Sequence, residues 1–510
     1  MCQALLVLLA LAGAAAVEQP GMKAVLSEKG LQFATQVGTE WLQDYILRTP
    51  IPDISGDISL SLLGCVHYTL NSMSVSRLNL PLPSVGFSEG KGLQVGLSGL
   101  NMAVKGKWNT RYHIIRDSGT FRLGLFNMGV ALLLQVGSDD QGHPTISSLQ
   151  CDASIESTDI LFHGEPGSDP NSQEAEMIFL VSWILQLFVE SFKGQIHAKV
   201  QQMICPGIER NIQVLERYLQ AMNVSFQVNS DLLLDLPLTS PPVIEASDIS
   251  VDLKGEFYST HTHAEPPFAA GPLELPPQDR FMLLLGVSEF CLNSASFAYL
   301  SAGQLQMNIT NNTFPGFPFN TTSFGKFIPQ LPEKFPDMLM LFHVYASDAP
   351  TVSFLPDNAT ARLSASAKAY AIRPDQSLAP LFRLDLSADF SGRFLVKDGK
   401  LHGSLMLNNL SLAVGATEVG PFETGPLQNV LVVATRMMLQ KVNANLTAGI
   451  CIPAIPGTQW SNTVLKVNKG FVAIATDAAV SSLGVRNTEE PPLHRNTPGV
   501  ILFFLPFFRV

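Results

Sequence analysis

Charge is scarce in this chain of 510 residues: 15% are Asp, Glu, Lys or Arg, against 46% hydrophobic. With a net charge of −11, nothing suggests a nucleic-acid binder, which needs a broad basic face. Cysteine is scarce too. Six are present and none forms a CxxC pair, which argues against a zinc ribbon or a thioredoxin-like centre. No hydrophobic run is long enough to span a bilayer. Catalytic signatures are missing: there is no HExxH, no Walker loop and no GxGxxG, and Gly96-Leu97-Ser98-Gly99-Leu100 breaks the GxSxG nucleophile pattern. A secreted hydrolase is therefore a remote reading, and neither a cofactor nor a metal is expected.

What is present points outward from the cell. The apolar run from Ala4 to Val17 ends in Ala14-Ala15-Ala16 and reads as a secretory signal peptide over residues 1–16. Seven Asn-x-Ser/Thr sequons, at Asn223, Asn308, Asn311, Asn320, Asn358, Asn409 and Asn445, fit a secreted, extracellular glycoprotein. Six of them follow residue 300, so the C-terminal half would carry most of the sugar. Loss of Cys2 with the signal leaves Cys65, Cys151, Cys205, Cys291 and Cys451, an odd number. At least one thiol is then free or bridged to another molecule.

Periodicity supplies the architecture. Ile178, Val181, Leu185, Phe188, Phe192, Ile196, Val200 and Met203 recur in steps of three and four, one face of a helix. The rhythm resumes after Pro206 at Ile208, Ile212, Leu215, Leu219 and Met222, which predicts one long amphipathic helix kinked at the proline. Helices are also predicted over residues 20–48, over 427–446 and around 278–300. The 427–446 segment places Leu427, Val430, Leu431, Ala434, Met438 and Val442 on one side. Period-two runs such as Val130, Leu132, Leu134 and Val136 predict strands elsewhere. Pro237, Pro241 and Pro242 mark a linker near 232–245, and the polar segment 165–176 reads as an exposed loop. Each half thus runs strands, amphipathic helix, more strand. Such stripes commonly just pack on a sheet; a ligand cavity requires the sheet to curl away from the helix.

Two polar clusters invite chemistry. On a strand, His261, His263 and Glu265 would share one side and could hold a metal, but Pro266-Pro267 follows at once and a polar loop is the commoner outcome. The basic run Lys105, Lys107, Arg111, Arg116 and Arg122 is opposed only by Asp117. It could receive phosphate groups by charge-assisted hydrogen bonds, or simply form a solvated hairpin face, which charge alone favours.

Several stretches are familiar as a set. They are Pro20-Gly21 with Leu31-Gln32-Phe33-Ala34, then Ile51-Pro52-Asp53, Leu63-Gly64 with His67-Tyr68, Gly106-Lys107-Trp108 and Ser118-Gly119-Thr120-Phe121. Further on come Leu253-Lys254-Gly255-Glu256-Phe257-Tyr258, Ser288-Glu289-Phe290, Asn293-Ser294-Ala295, Phe324-Gly325-Lys326-Phe327-Ile328-Pro329 and Lys334-Phe335-Pro336. In this order they resemble the family of bactericidal permeability-increasing protein and lipopolysaccharide-binding protein, whose wider relatives include plasma lipid-transfer proteins. The resemblance implies an α+β boomerang of two elongated barrels joined by a central sheet. Each barrel would pair a twisted antiparallel sheet with a long helix around an apolar pocket for acyl chains.

On that basis residues 17–230 form the N-terminal barrel, 231–250 a Pro-containing linker and central-sheet segment, 251–485 the C-terminal barrel and 486–510 a tail. The apolar end of that tail, Gly499 to Phe508, is assigned no function. The resemblance further implies that Cys151 and Cys205 form the family's single disulfide, and that Phe188, Phe192 and Ile196 face the N-terminal pocket. One departure matters. Ser59, Ser61, Cys65, Asn109 and Tyr112 stand where the family's antibacterial member leads one to expect lysine, while Lys107 and Arg116 remain. Residues 18–250 hold 14 basic against 24 acidic side chains, a net of −10. The expected function is therefore a secreted, non-catalytic protein that binds phospholipid or another amphipathic lipid. The alternative is an endotoxin-binding, antibacterial innate-immunity protein acting on Gram-negative bacteria. Its partners would be lipopolysaccharide and the bacterial outer membrane, with Lys105, Lys107, Arg111 and Arg116 meeting the phosphates.

Overall fold

The computed structural model describes residues 19–60, 64–112, 115–164, 189–277, 279–311, 318–397, 399–451 and 458–480. The chain opens with β1 (Met22–Ser27), followed without a break by α1 (Glu28–Arg48). The first part of the predicted 20–48 helix is thus a strand. A short apolar segment with no period of its own takes the strand state when strands flank it, and β1 is bonded on both sides. The helix starts where it does because Ser27 caps it, its hydroxyl accepting from the Gly30 amide at 3.3 Å. A Cβ at Gly30 would lie 2.4 Å from the Met282 carbonyl, so only glycine lets helix and neighbouring chain approach this closely.

The N-terminal sheet runs β2 (Ile54–Leu60), β3 (Gly64–Asn79), β5 (Gly92–Tyr112), β6 (Ile115–Ser138) and β7 (Pro144–Gly164), with β4 (Ser84–Ser88) on β5. All pairings are antiparallel. Alternation decides its two faces. Val104, Trp108 and Thr110 are buried, whereas Lys105, Lys107 and Asn109 between them are exposed. Register shifts bend the long strands; at one of them, between Leu97 and Leu100, Gly99 takes a φ of +79°. Against the inner face lies α2 (Val189–Gln220), which carries Pro206 within its length. Residues 165–188, with the predicted loop and the first turns of the long helix, lie outside the described residues.

Next come β8 (Ser225–Gln227), β9 (Leu232–Asp235), β10 (Val243–Ile244), β11 (Asp248–Leu253) and β12 (Glu256–Ser259). The segment read as a linker is therefore folded into two sheets. Leu232 and Leu234 are fully buried, and their alternation outweighs the nearby prolines. The stretch around 278–300 divides as well: β13 (Leu283–Ser288) is a strand, and α3 (Glu289–Ser301) begins only after it. The leucine-rich sequence of β13, LLLGVS, is paired between β1 and the last strand, β22 (Phe471–Val480).

The second large sheet follows. After β14 (Gln306–Ile309) come two short helices, α4 (Thr321–Phe324) and α5 (Gln330–Lys334). Then β15 (Leu339–Ala346), β16 (Thr351–Leu355), β17 (Asn358–Ile372), β18 (Leu378–Lys397) and β19 (Lys400–Thr417) build it up, and β20 (Ile450–Cys451) ends it. The helix α6 (Gly425–Ala448) packs on β19. Asn443 clips it there, donating to the Leu405 carbonyl at 2.9 Å and accepting from the Leu405 amide at 2.8 Å. Two final strands, β21 (Thr458–Asn468) and β22 (Phe471–Val480), return to the middle of the molecule. There the central sheet takes the order β10-β11-β1-β13-β22-β21, uniting the beginning, middle and end of the chain.

The result is an α+β fold with two helix-bearing antiparallel sheets and a central sheet. Each large sheet has its own core. One gathers Leu70, Trp108, Phe121, Leu125 and Ile196, the other Phe324, Ile328, Met340, Leu381 and Leu427.

Candidate functional site

In the C-terminal half the sheet and its helix leave a cavity of about 450 Å³. Its walls are almost wholly apolar: Phe354 from β16, Leu386 and Phe390 from β18, Leu405 from β19, and Met438, Leu439 and Val442 from α6. The cause of the void lies in β17. Its inward-facing positions there read Ala359, Ala361, Leu363 and Ala365, so three of four side chains on that strand are methyl groups. A helix packed over alanines stands off from the sheet, and no side chain fills the gap. The few polar groups at the lining include Gln304, Gln306, Thr360 and Arg362, the last held by Asp389 at 2.9 Å. An apolar volume with sparse polar groups suits a hydrocarbon chain carrying a polar end.

The N-terminal half presents its features on two faces of one sheet. Inside, Ile196 from α2 is fully buried in the core beside Val200, Met203 and Ile204. The helix is fixed to β7 by Lys193 to Asp159 at 3.3 Å, by His197 and Thr158 at 2.8 Å, and by the disulfide between Cys151 and Cys205. Outside, Lys105, Lys107, Arg111 and Arg122 are exposed along the β5–β6 hairpin. Register brings Lys105 opposite Arg122 and Arg111 opposite Arg116. Like charges directly opposite one another repel, so this face favours an incoming anion. None of Lys105, Lys107, Arg111 and Arg122 makes an ion pair among the described residues.

The family model described as "LBP / BPI / CETP family, N-terminal domain" matches residues 30–222, and the corresponding C-terminal domain matches residues 226–480. The chain belongs to the LBP / BPI / CETP family. It is 32% identical to a bactericidal permeability-increasing protein of Sebastes schlegelii, over 90% of this chain and 95% of that protein. It is 25% identical to the human lipopolysaccharide-binding protein, over 90% of this chain and 93% of that protein. The crystal structure of a lipopolysaccharide binding protein shares the fold, with a TM-score of 0.51 at 24% identity, covering 91% of this chain and 99% of that one.

Within this LBP / BPI / CETP fold the expected residues fall unevenly. Phe188 lies outside the described residues, as does the side chain of Phe192. The Arg116 side chain is likewise not described. Of the sequon asparagines, Asn223, Asn308, Asn311, Asn409 and Asn445 are exposed, and Asn320 and Asn358 are half-buried. His261 and His263 follow β12 in a turn, with His261 Nε2 3.3 Å from Asp231 and His263 at a φ of +47°. No group of three or more metal-ligating side chains forms among the described residues. Cys291 is fully enclosed in α3, and burial pushes its thiol up to about 12, so it is no nucleophile. Val430, placed with the inward side of α6 by periodicity, is 41% exposed. Of that set, Leu427 and Leu431 join the core, Met438 and Val442 line the cavity, and Ala434 is half-buried. The alanine alternation of β17 went unread in the sequence, though it is the signal that marks the cavity.

Proposed function

We propose that the protein is a secreted lipid carrier, without catalysis, that holds phospholipid acyl chains in the C-terminal cavity. The apolar void between β17 and α6 carries this reading. Each CH₂ moved from water into such a space gains about 0.8 kcal/mol, so a chain of ordinary length would stay bound through purification. A matching pocket in the N-terminal barrel would be lined by Phe188, Phe192 and Ile196. Secretion is supported by the apolar, alanine-ended N-terminus and by a disulfide, which persists in oxidising compartments. The domain division at 17–230, 231–250 and 251–485 and sugar at the seven sequons belong to the same proposal.

The test is extraction of lipid from secreted protein, with Ala388→Trp as the variant. Ala388 is buried on the cavity wall, and an indole there occupies the void. The expected result is phospholipid recovered from the parent protein and markedly less from the variant. No phospholipid, and no uptake of added phospholipid, would sink the reading.

A second reading is endotoxin binding through the exposed cations Lys105, Lys107 and Arg111 together with Arg116. The names of the relatives and the free anion-seeking face favour it. The net charge of −10 over residues 18–250 opposes it. Binding to immobilised lipopolysaccharide is expected to be weak and salt-sensitive. It should fall further when these four become Gln; tight binding that ignores both salt and the substitutions would place the contact elsewhere.

A further inference from the structure

We infer that the distal end of the β18–β19 hairpin docks on an anionic phospholipid bilayer. Strand register puts one outward row on this end of the C-terminal sheet. Along β18 it presents Arg393, Leu395 and Lys397; along β19, opposite them, Ser404, His402 and Lys400. The alternate residues Phe394, Leu401 and Leu405 face the other way, into the cavity wall or the core. Lys397 and Lys400 are directly paired across the strands, and all three cations are exposed. None of the three makes an ion pair among the described residues. Over Arg393 to Lys400 the sequence carries three cations and one acid, Asp398. The acid nearest along β18, Asp389, is already engaged by Arg362.

Two further observations choose the partner. Leu395 is 53% exposed at the centre of the cations, and on the same outward face Met406, opposite Ser391, is 62% exposed. A polyanion such as a sulfated sugar has no use for such side chains, whereas a bilayer offers headgroup charge with hydrocarbon just below it. The rest of the chain sets the orientation. Of the 32 basic and 43 acidic residues, 18 and 19 lie in 251–510, so this half is nearly neutral while the other is strongly acidic. An anionic surface repels the N-terminal half and accepts this end. The hairpin is also well braced for contact: His402 Nδ1 meets the Thr447 carbonyl at 3.0 Å, tying the strand to the end of α6. The proposal does not depend on whether the cavity holds lipid.

The experiment measures binding of the full-length secreted protein, with its sugars, to phosphatidylcholine vesicles with and without phosphatidylglycerol. Binding is expected only with the anionic lipid and is expected to weaken with salt. Each lost charge near such a surface weakens binding about fivefold, so Arg393→Gln, Lys397→Gln and Lys400→Gln together should cost roughly 100-fold. Leu395→Ser should weaken it further without changing its salt dependence. A control variant, Lys91→Gln with Lys199→Gln and Lys469→Gln, removes the same charge from exposed positions elsewhere and should stay within a few-fold of the parent. All of these side chains are exposed, so thermal unfolding should be unchanged. The inference is overturned by any of several outcomes: no binding to anionic vesicles, equal binding to neutral ones, equal loss in the control variant, or binding to heparin but not to vesicles. Loss of phospholipid uptake with vesicle docking intact would instead strike only at the carrier reading.

Discussion

Asp477 is a buried carboxylate with a full set of partners, and its chemistry makes an acid-sensitive joint. It sits on β22, and it accepts from Lys29 Nζ at 2.8 Å, from Asn462 Nδ2 at 3.0 Å and from the Met282 amide at 3.0 Å. Burial by itself raises the carboxyl; these hydrogen bonds and the Lys29 charge outweigh it and hold the group below its usual range. The folded value is thus depressed relative to the unfolded one. Stability from this group is fully present above the unfolded value, about 3.9, and is lost as pH falls through the folded value. Asp477→Asn should therefore lower stability at neutral pH and flatten the acid limb of the urea-unfolding profile. An acid limb as steep as the parent's would assign the loss to other carboxylates.

At the scale of single elements, the disulfide between Cys151 and Cys205 fastens α2 to β7, with 54 residues of separation. On the chain-entropy account a loop of this length stabilises by about 4 kcal/mol. Cys205→Ser should lower the urea midpoint accordingly, and a peptide map without reduction should show the 151–205 link in the parent. A near-zero change would mean that the contacts of Lys193, His197 and Ile196 already hold the helix. Elements of this size were the best read from the sequence. The 427–446 helix emerged as Gly425–Ala448, because its stripe is long and glycine and proline punctuate its start. Residues 22–27 and 283–288 are strands where periodicity predicts helix, because a short apolar run has no period of its own. Their strand state comes from partners up to hundreds of residues away, such as Leu285 opposite Ile474. The cavity was illegible for a related reason. Alternating alanines mean nothing until a helix is known to lie over them.

At the scale of the molecule, the two large sheets have cores that share no residue, and between them runs a sheet assembled from distant parts of the chain. Cooperativity within a core is strong, but two cores need not melt together. Two calorimetric transitions are therefore expected. The disulfide belongs to the N-terminal core, so reduction should lower one transition and leave the other in place. A phospholipid confined to the C-terminal cavity stabilises the folded state around it by about 2.7 kcal/mol at a hundred times its dissociation constant. Added phospholipid should then raise the transition that reduction spares, and Ala388→Trp should suppress that rise. If the N-terminal barrel also takes lipid, both transitions will rise and the variant will suppress only one. A single transition that moves as a whole under reduction and under lipid would show that the central sheet locks the barrels into one cooperative unit. In that case Lys29 to Asp477, which joins the beginning of the chain to its end, and the pairing of β1 with β13, which joins the beginning to the middle, become the first contacts to cut.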